Sequence, residues 1–388
     1  MSRNLPAPDE TAAAVSRQLT ARICEEAART DGGMSFDRFM EMALYEPGLG
    51  YYSGAGRKFG PDGDFVTAPE ISPLFSRCVA AQAAEVLDRA GGVVLEFGAG
   101  SGVLAADMLG ELEARAALPD EYLILELSAE LRHRQRQTLE ARVPRLIERV
   151  RWLDRLPGQP LSGVVVANEV LDAFPVSRFR LQGGRVEMLA IACDAGALEA
   201  GWVPAHADLR EAVARVLETA ALDDGAESEI CLRLGPWIEA VASRMSQGML
   251  LLFDYGYPRR DYYHPHRRHG TLQCHYRHRV HDDPLYLPGL QDITAHVDFT
   301  AVAEAALDAG LAVAGFTSQA RFLIGCGLDA LVTGAHARGL AEGVSAAQQA
   351  KRLILPSEMG ERFKVMGLTR GVDGPWCGFA QPDMRDRL

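Results

Sequence analysis

No run of apolar residues in this 388-residue chain is long enough to span a membrane as a helix; the longest are strand-sized. No C-x-x-C pair occurs among the seven cysteines, at positions 24, 78, 193, 231, 274, 326 and 377, and their number is odd. Such scatter fits neither a zinc template nor a dense disulfide framework, so reduced thiols and a cytoplasmic location are the expectation. The first residues include Asp9 and Glu10 and no apolar core, so neither a secretory signal nor a transit peptide is expected there. A surplus of positive charge is missing too. At a formal net charge of −12, a broad nucleic-acid-binding face is not expected. Internal repeats and low-complexity segments are absent, and nothing specifies an oligomeric state.

What is present centres on residues 93–102, V-V-L-E-F-G-A-G-S-G. A short apolar run ends in an acid, turns on three alternating glycines, and leads into a segment whose Leu104, Met108 and Leu112 recur every fourth position. That reads as a buried strand, a tight turn and a helix. Glycines at alternate positions let a ligand approach the backbone closely, since no Cβ intervenes. The dinucleotide form G-x-G-x-x-G needs a glycine where this chain has Val103. The form present, E-x-G-x-G-x-G, resembles the first motif of S-adenosylmethionine (SAM) methyltransferases. That resemblance implies that Glu96 pairs with the ammonium of the amino-acid end, while Gly98, Ala99, Gly100 and Gly102 are expected to line that end and the ribose.

Helices are expected over residues 11–29, 36–44 and 73–90, and a glycine-dense segment at 51–70 is a candidate active-site cover. Residues 122–126 read as a second strand ending in Glu126, 24 residues beyond Gly102, near the spacing expected of a ribose-binding acid. A third strand over 149–152 brings Leu153 and Asp154 to where an adenine ring would lie. The fourth, 164–167, runs into Asn168–Glu169–Val170–Leu171–Asp172, at the edge of the sheet where ligands bind. Glu169 and Asp172 are spaced to share one side of a helical turn. An insertion spans about 176–248, holding a hairpin strand and two helices, and the fifth strand is 249–256. Residues 257–281 are rich in Arg, His and Tyr, including Cys274, without metal-template spacing. A basic loop touching SAM or an anionic partner is expected there, and no metal. Two divisions follow: residues 1–90, packing on the core, and the core itself over 91–388.

Six stretches carry a resemblance. They are Gly63 to Glu70, Leu95 to Gly102, Asn168 to Val176, Asp254–Tyr255–Gly256, Gly289–Leu290–Gln291–Asp292 running on to Phe299, and Glu358 to Met366. With these the chain resembles the MidA-like family of SAM-dependent methyltransferases, related to a mitochondrial assembly factor of respiratory complex I. The likeness runs from about residue 35 to 370, and Ser76 departs from the glycine expected after Leu-Phe. It implies an α/β fold: a Rossmann-like seven-strand class I methyltransferase sheet with added N-terminal helices and a helical and hairpin insertion. It also implies SAM as cofactor and methyl transfer to an arginine of a protein substrate, in the mitochondrial member a complex I subunit.

A guanidinium is a planar fork of donors that carboxylates bind bidentately. Glu169 and Asp172 are the expected holders of such a side chain, with Asp64 in reserve. Two rivals remain open on sequence grounds. One is a non-catalytic SAM-binding assembly chaperone; the other is an NAD-dependent oxidoreductase, disfavoured by Val103.

Overall fold

The computed structural model describes residues 5–54, 67–380 and 382–388 and divides the chain into two compact units. One comprises Val66–Val170, Gly235–Gly256 and Phe299–Leu388, the other Met1–Phe65, Leu171–Leu234 and Tyr257–Asp298.

The first unit is built on a sheet whose strands are β1 (Val93–Phe97), β2 (Tyr122–Leu125), β3 (Val150–Leu153), β4 (Leu161–Asn168), β5 (Met245–Tyr257), β6 (Ala312–Ser318) and β7 (Phe363–Arg370). Their spatial order is β3-β2-β1-β4-β5-β7-β6. The five on the β3 side run parallel, and β7 is antiparallel to both neighbours. The α/β class and the largely parallel sheet agree with the sequence; by pairing the sheet has eight strands, the extra one being two residues long.

Parallel strands covered on both faces need continuous apolar runs, and β1 and β4 supply them. Three helices matter for the site: α1 (Pro73–Ala90), α2 (Val103–Ala114) and α3 (Ala129–Arg142). Ser72 caps α1 by accepting from the Leu74 N–H at 3.1 Å, with Pro73 at the first helical position. Leu104, Met108 and Leu112 of α2 are buried as their spacing predicts, in one core with Val94, Tyr122 and Ile124. Connections run outward from β1 to β3 and then return to β4 on the other side of β1. This reversal makes the carboxyl ends of β1 and β4 the switch point where ligands of open α/β sheets bind.

The second unit has its own cores. In one, helix Glu10–Ala27 and helix Phe36–Tyr45 bury Leu19, Ile23, Phe39 and Met40 with Leu189 and Ile191 of strand Arg185–Asp194. That strand sits within an antiparallel sheet of five. Residues 257–281 are not a plain loop: they hold helix Arg259–Tyr262 and strands Gln273–Tyr276 and Arg279–His281, part of a three-stranded sheet.

One expectation is corrected here. Cys24 and Cys193 form a disulfide, with Cα atoms 5.3 Å apart, while Cys78, Cys231, Cys274, Cys326 and Cys377 are free. The two residues are 169 apart in sequence, and only the packing of the first helix on its strand brings them together. The support that uniformly reduced thiols lent to a cytoplasmic location goes with that expectation. Among the described residues no helix is long and apolar enough to cross a membrane.

Candidate active site

The turn after β1 is made of backbone conformations that L side chains avoid. Gly98, Gly100 and Gly102 have φ of 59°, 53° and 82°. Gly98 N–H donates to Leu125 O at 3.1 Å, and Gly102 N–H donates to Ala99 O at 2.7 Å, which closes the turn as α2 begins. Ser101 Oγ donates to Glu70 Oε1, so helix Ala68–Ile71 is fastened to the same turn.

Glu96, on the face of β1 turned toward the core, is 2% exposed and accepts from Tyr122 Oη at 2.7 Å. Burial pushes its carboxyl up to about 7; the Tyr122 hydrogen bond acts against this and the Glu126 charge adds to it. Glu126 is 8% exposed, and burial raises its carboxyl as well. Its Oε1 accepts from Ser128 N–H at 2.9 Å and its Oε2 from Gln135 Nε2 at 3.1 Å. Arg132 donates to the Glu126 carbonyl at 2.6 Å and to the Leu153 carbonyl at 3.1 Å, binding the ends of β2 and β3 together. Leu153 is therefore the last residue of β3 rather than just beyond it. Beside Glu126, Leu127 is 74% exposed, an apolar side chain left in the open.

At the end of β4 the expected helical turn does not form. Glu169 stands in the left-handed region at φ 52° and the following residues are a bend and turn. Tertiary hydrogen bonds outweigh the local spacing. Glu169 N–H donates to Phe253 O at 2.9 Å, and Val170 N–H donates to Oδ2 of the buried Asp254 at 3.3 Å. Asn168 Nδ2 donates to Glu169 Oε1 at 3.2 Å, while its Oδ1 is buried with no donor among the described residues.

Asp172 belongs to the other unit. It is 5% exposed, and its carbonyl accepts from Ala295 N–H at 2.9 Å, within the stretch 289–299. Asp292 in that stretch accepts from Tyr52 Oη at 2.9 Å. Asp64 lies outside the described residues. Sequence reasoning missed Tyr122, Gln135 and the role of Asp254. Gln135 and Leu139, four apart, are the buried residues of an otherwise polar α3, and that pairing is a signal it could have used.

Two buried carboxyls lifted by desolvation, an orphaned amide oxygen and a glycine turn with room before Gly98, where a Cβ would meet Val170 Cγ2 at 3.8 Å, suit a ligand with a cationic end and donor hydroxyls. The model of the family described as S-adenosyl-L-methionine-dependent methyltransferase matches residues 78–317. The chain belongs to that family. Within this methyltransferase family it is similar to a Burkholderia thailandensis protein whose crystal structure has S-adenosyl-homocysteine (SAH) bound. The two are 44% identical, with a TM-score of 0.93, over 99% of this chain and 100% of the other. It is also similar to the Drosophila melanogaster "Protein arginine methyltransferase NDUFAF7 homolog, mitochondrial", 27% identical over 92% of this chain and 85% of the relative. The human "Protein arginine methyltransferase NDUFAF7, mitochondrial" is 26% identical over 88% and 81%. The protein is a SAM-dependent methyltransferase, and the NAD-dependent alternative is set aside.

A pH prediction follows from Glu96. Were Glu96 the partner of a ligand ammonium, as the sequence motif implies, its ionised form would be the one that pairs, and below about 7 binding would first have to remove the proton that burial keeps there. SAH affinity should rise with pH from 5.5 toward 7, by up to about tenfold per unit, then level off. Without ligand the sign reverses: a raised carboxyl stabilises the fold below its unfolded value, and this is lost as pH rises through about 7. Calorimetry across this range tests the assignment. Glu96→Gln should flatten the slope, and an equally steep slope in that variant would reassign the ammonium partner.

Proposed function

We propose that the protein transfers the methyl group of SAM to an arginine side chain of a protein substrate. The observation that carries this is Glu169, a non-glycine residue held at φ 52° at the carboxyl end of β4. Such backbone strain costs on the order of 1–3 kcal/mol and persists where the surroundings enforce it, commonly at active sites. Here the Phe253 carbonyl and the Asp254 carboxylate enforce it. The names of the curated relatives support the same reading.

SAM supplies an electrophilic methyl group on a sulfonium. The chain's own part is to bind the acceptor, orient it and receive a proton. A guanidinium stays protonated in water, so its nitrogen becomes a nucleophile only as an N–H is drawn toward a carboxylate. Asn168 Nδ2 orients Glu169 through Oε1, and the carboxylate accepts the guanidinium N–H. Asp172 and Asp64 are further candidate acids that the sequence alone puts forward. Leu127 offers an apolar surface to the adenine beside Leu153. By the resemblance to the mitochondrial assembly factor, the proposed substrate class is a subunit of respiratory complex I.

The test is methyl-labelled SAM incubated with the protein and cell lysate, followed by peptide mass spectrometry. Label on arginine of a discrete protein is expected. Label on another residue type or a small molecule would overturn the arginine reading. SAH binding with no protein labelled would favour the assembly chaperone.

A further inference from the structure

The structure assigns Gln135 the role of positioning residue for the cofactor: its amide fastens the glycine turn, the acid after β2 and the end of β3 into one rigid piece. The inference rests on Glu126 and the glycine turn as the SAM pocket and is independent of the methyl acceptor.

Gln135 is fully buried in α3. Its Nε2 donates to Gly100 O at 3.2 Å and to Glu126 Oε2 at 3.1 Å, and its Oε1 accepts from Trp152 Nε1 at 2.9 Å. A primary amide has two N–H donors and a carbonyl oxygen that accepts, and here both donors and the oxygen have partners. These partners lie on three separate segments: the turn after β1, the end of β2, and β3. Leucine at this position would satisfy none of them, and glutamate would lack the donors.

The consequence for Glu126 is geometric first. With Oε1 held by Ser128 N–H and Oε2 by Gln135, its carboxylate has one orientation to offer a ribose diol. The second consequence is its charge state. Burial raises the Glu126 carboxyl, and the Ser128 N–H and the Gln135 amide, followed by the Leu127 N–H and the Arg132 charge, pull it back. Glu96 on β1 is the acid that interacts with it. Gln135 thus favours the ionised form that accepts hydroxyl donors.

The test measures SAH affinity by calorimetry at pH 6 and pH 8 for the native protein and for Gln135→Met, Gln135→Glu, Trp152→Phe and Glu126→Gln. Gln135→Met keeps the volume but removes the donor, so SAH binding should weaken tenfold or more at pH 6 and recover in part at pH 8. In Gln135→Glu the introduced carboxyl donates only while protonated. Relative to native, its SAH affinity should therefore fall as pH rises, opposite to the methionine variant. Trp152→Phe keeps an aromatic ring under the Arg136 guanidinium, which lies 4.5 Å from the Trp152 ring centroid, while removing the donor to Oε1, and should cost threefold or more. It decides the matter if the Gln135 variants do not fold. A structural role alone would move melting temperature without opposite pH responses. Folded Gln135 variants binding SAH within twofold of native at both pH values, or sharing the native pH slope, would overturn the assignment. So would unchanged binding in Glu126→Gln, which removes its premise while leaving the arginine reading untouched.

Discussion

Glu169→Gln should leave SAH affinity within a few-fold of native and reduce methylation about a hundredfold or more. In the proposed pocket Glu96 and Glu126 serve the cofactor's amino-acid and ribose ends, which assigns Glu169 to the acceptor. Glutamine keeps the shape and an oxygen for Asn168 Nδ2, which spares the fold. What it loses is the charge opposite a guanidinium and the group that takes the departing proton. Removing one partner of a desolvated charge pair costs about 2–5 kcal/mol, and about 2.7 kcal/mol is a hundredfold in rate. Asp172→Asn tests the second charge, and the same split between binding and turnover is expected. The readouts are SAH calorimetry and methyl incorporation into the identified substrate. Loss of SAH binding in a folded Glu169→Gln protein would move this acid into the cofactor site. Intact methylation in both variants would place the clamp elsewhere, with Asp64 the next residue to change.

The readings that held were those carried by local pattern. The strand before Gly98 and the helix after Gly102 announce themselves by an apolar run and a four-residue period, and both are where the sequence puts them. Glu126 follows β2 for the same reason. The readings that failed depend on partners distant in sequence. Residues 169–172 have the spacing of a helical turn, yet Phe253 and Asp254, some 84 residues on, take their amides. The Cys24–Cys193 bond joins positions that no spacing rule pairs. Gln135 was hidden because a glutamine among arginines and glutamates on a polar helix reads as solvated surface, and only the fold buries it. The stretch 358–366 was visible as a family feature but not as a structural one. Its Lys364 lies in register with both Asp254 of β5 and Ser318 of β6, so this stretch builds the antiparallel seam of the sheet.

Gly102→Val should abolish measurable SAH binding and lower the melting temperature clearly. Gly102 has φ 82°, where an L residue costs roughly 1–2 kcal/mol and a β-branched one more. A Cβ there would stand 2.9 Å from Gln135 Cα and 3.2 Å from Gln135 O. These are backbone atoms of α3, so no rotamer change relieves the clash, and the helix itself must shift. Moving α3 withdraws Gln135 from Gly100 and Glu126, and it strains the Ser128 cap whose N–H holds the other Glu126 oxygen. One added side chain therefore disturbs the turn and Glu126 together. Gly110, in the middle of α2, is the control. Among the described residues a Cβ there meets only Val143 Cγ1 at 3.8 Å, and Gly110→Ala should raise stability by about 0.5–1 kcal/mol with SAH affinity unchanged. Thermal melts and calorimetry on both variants separate the effects. A folded Gly102→Val protein with native SAH affinity would show that the cofactor does not depend on the packing of this turn against α3.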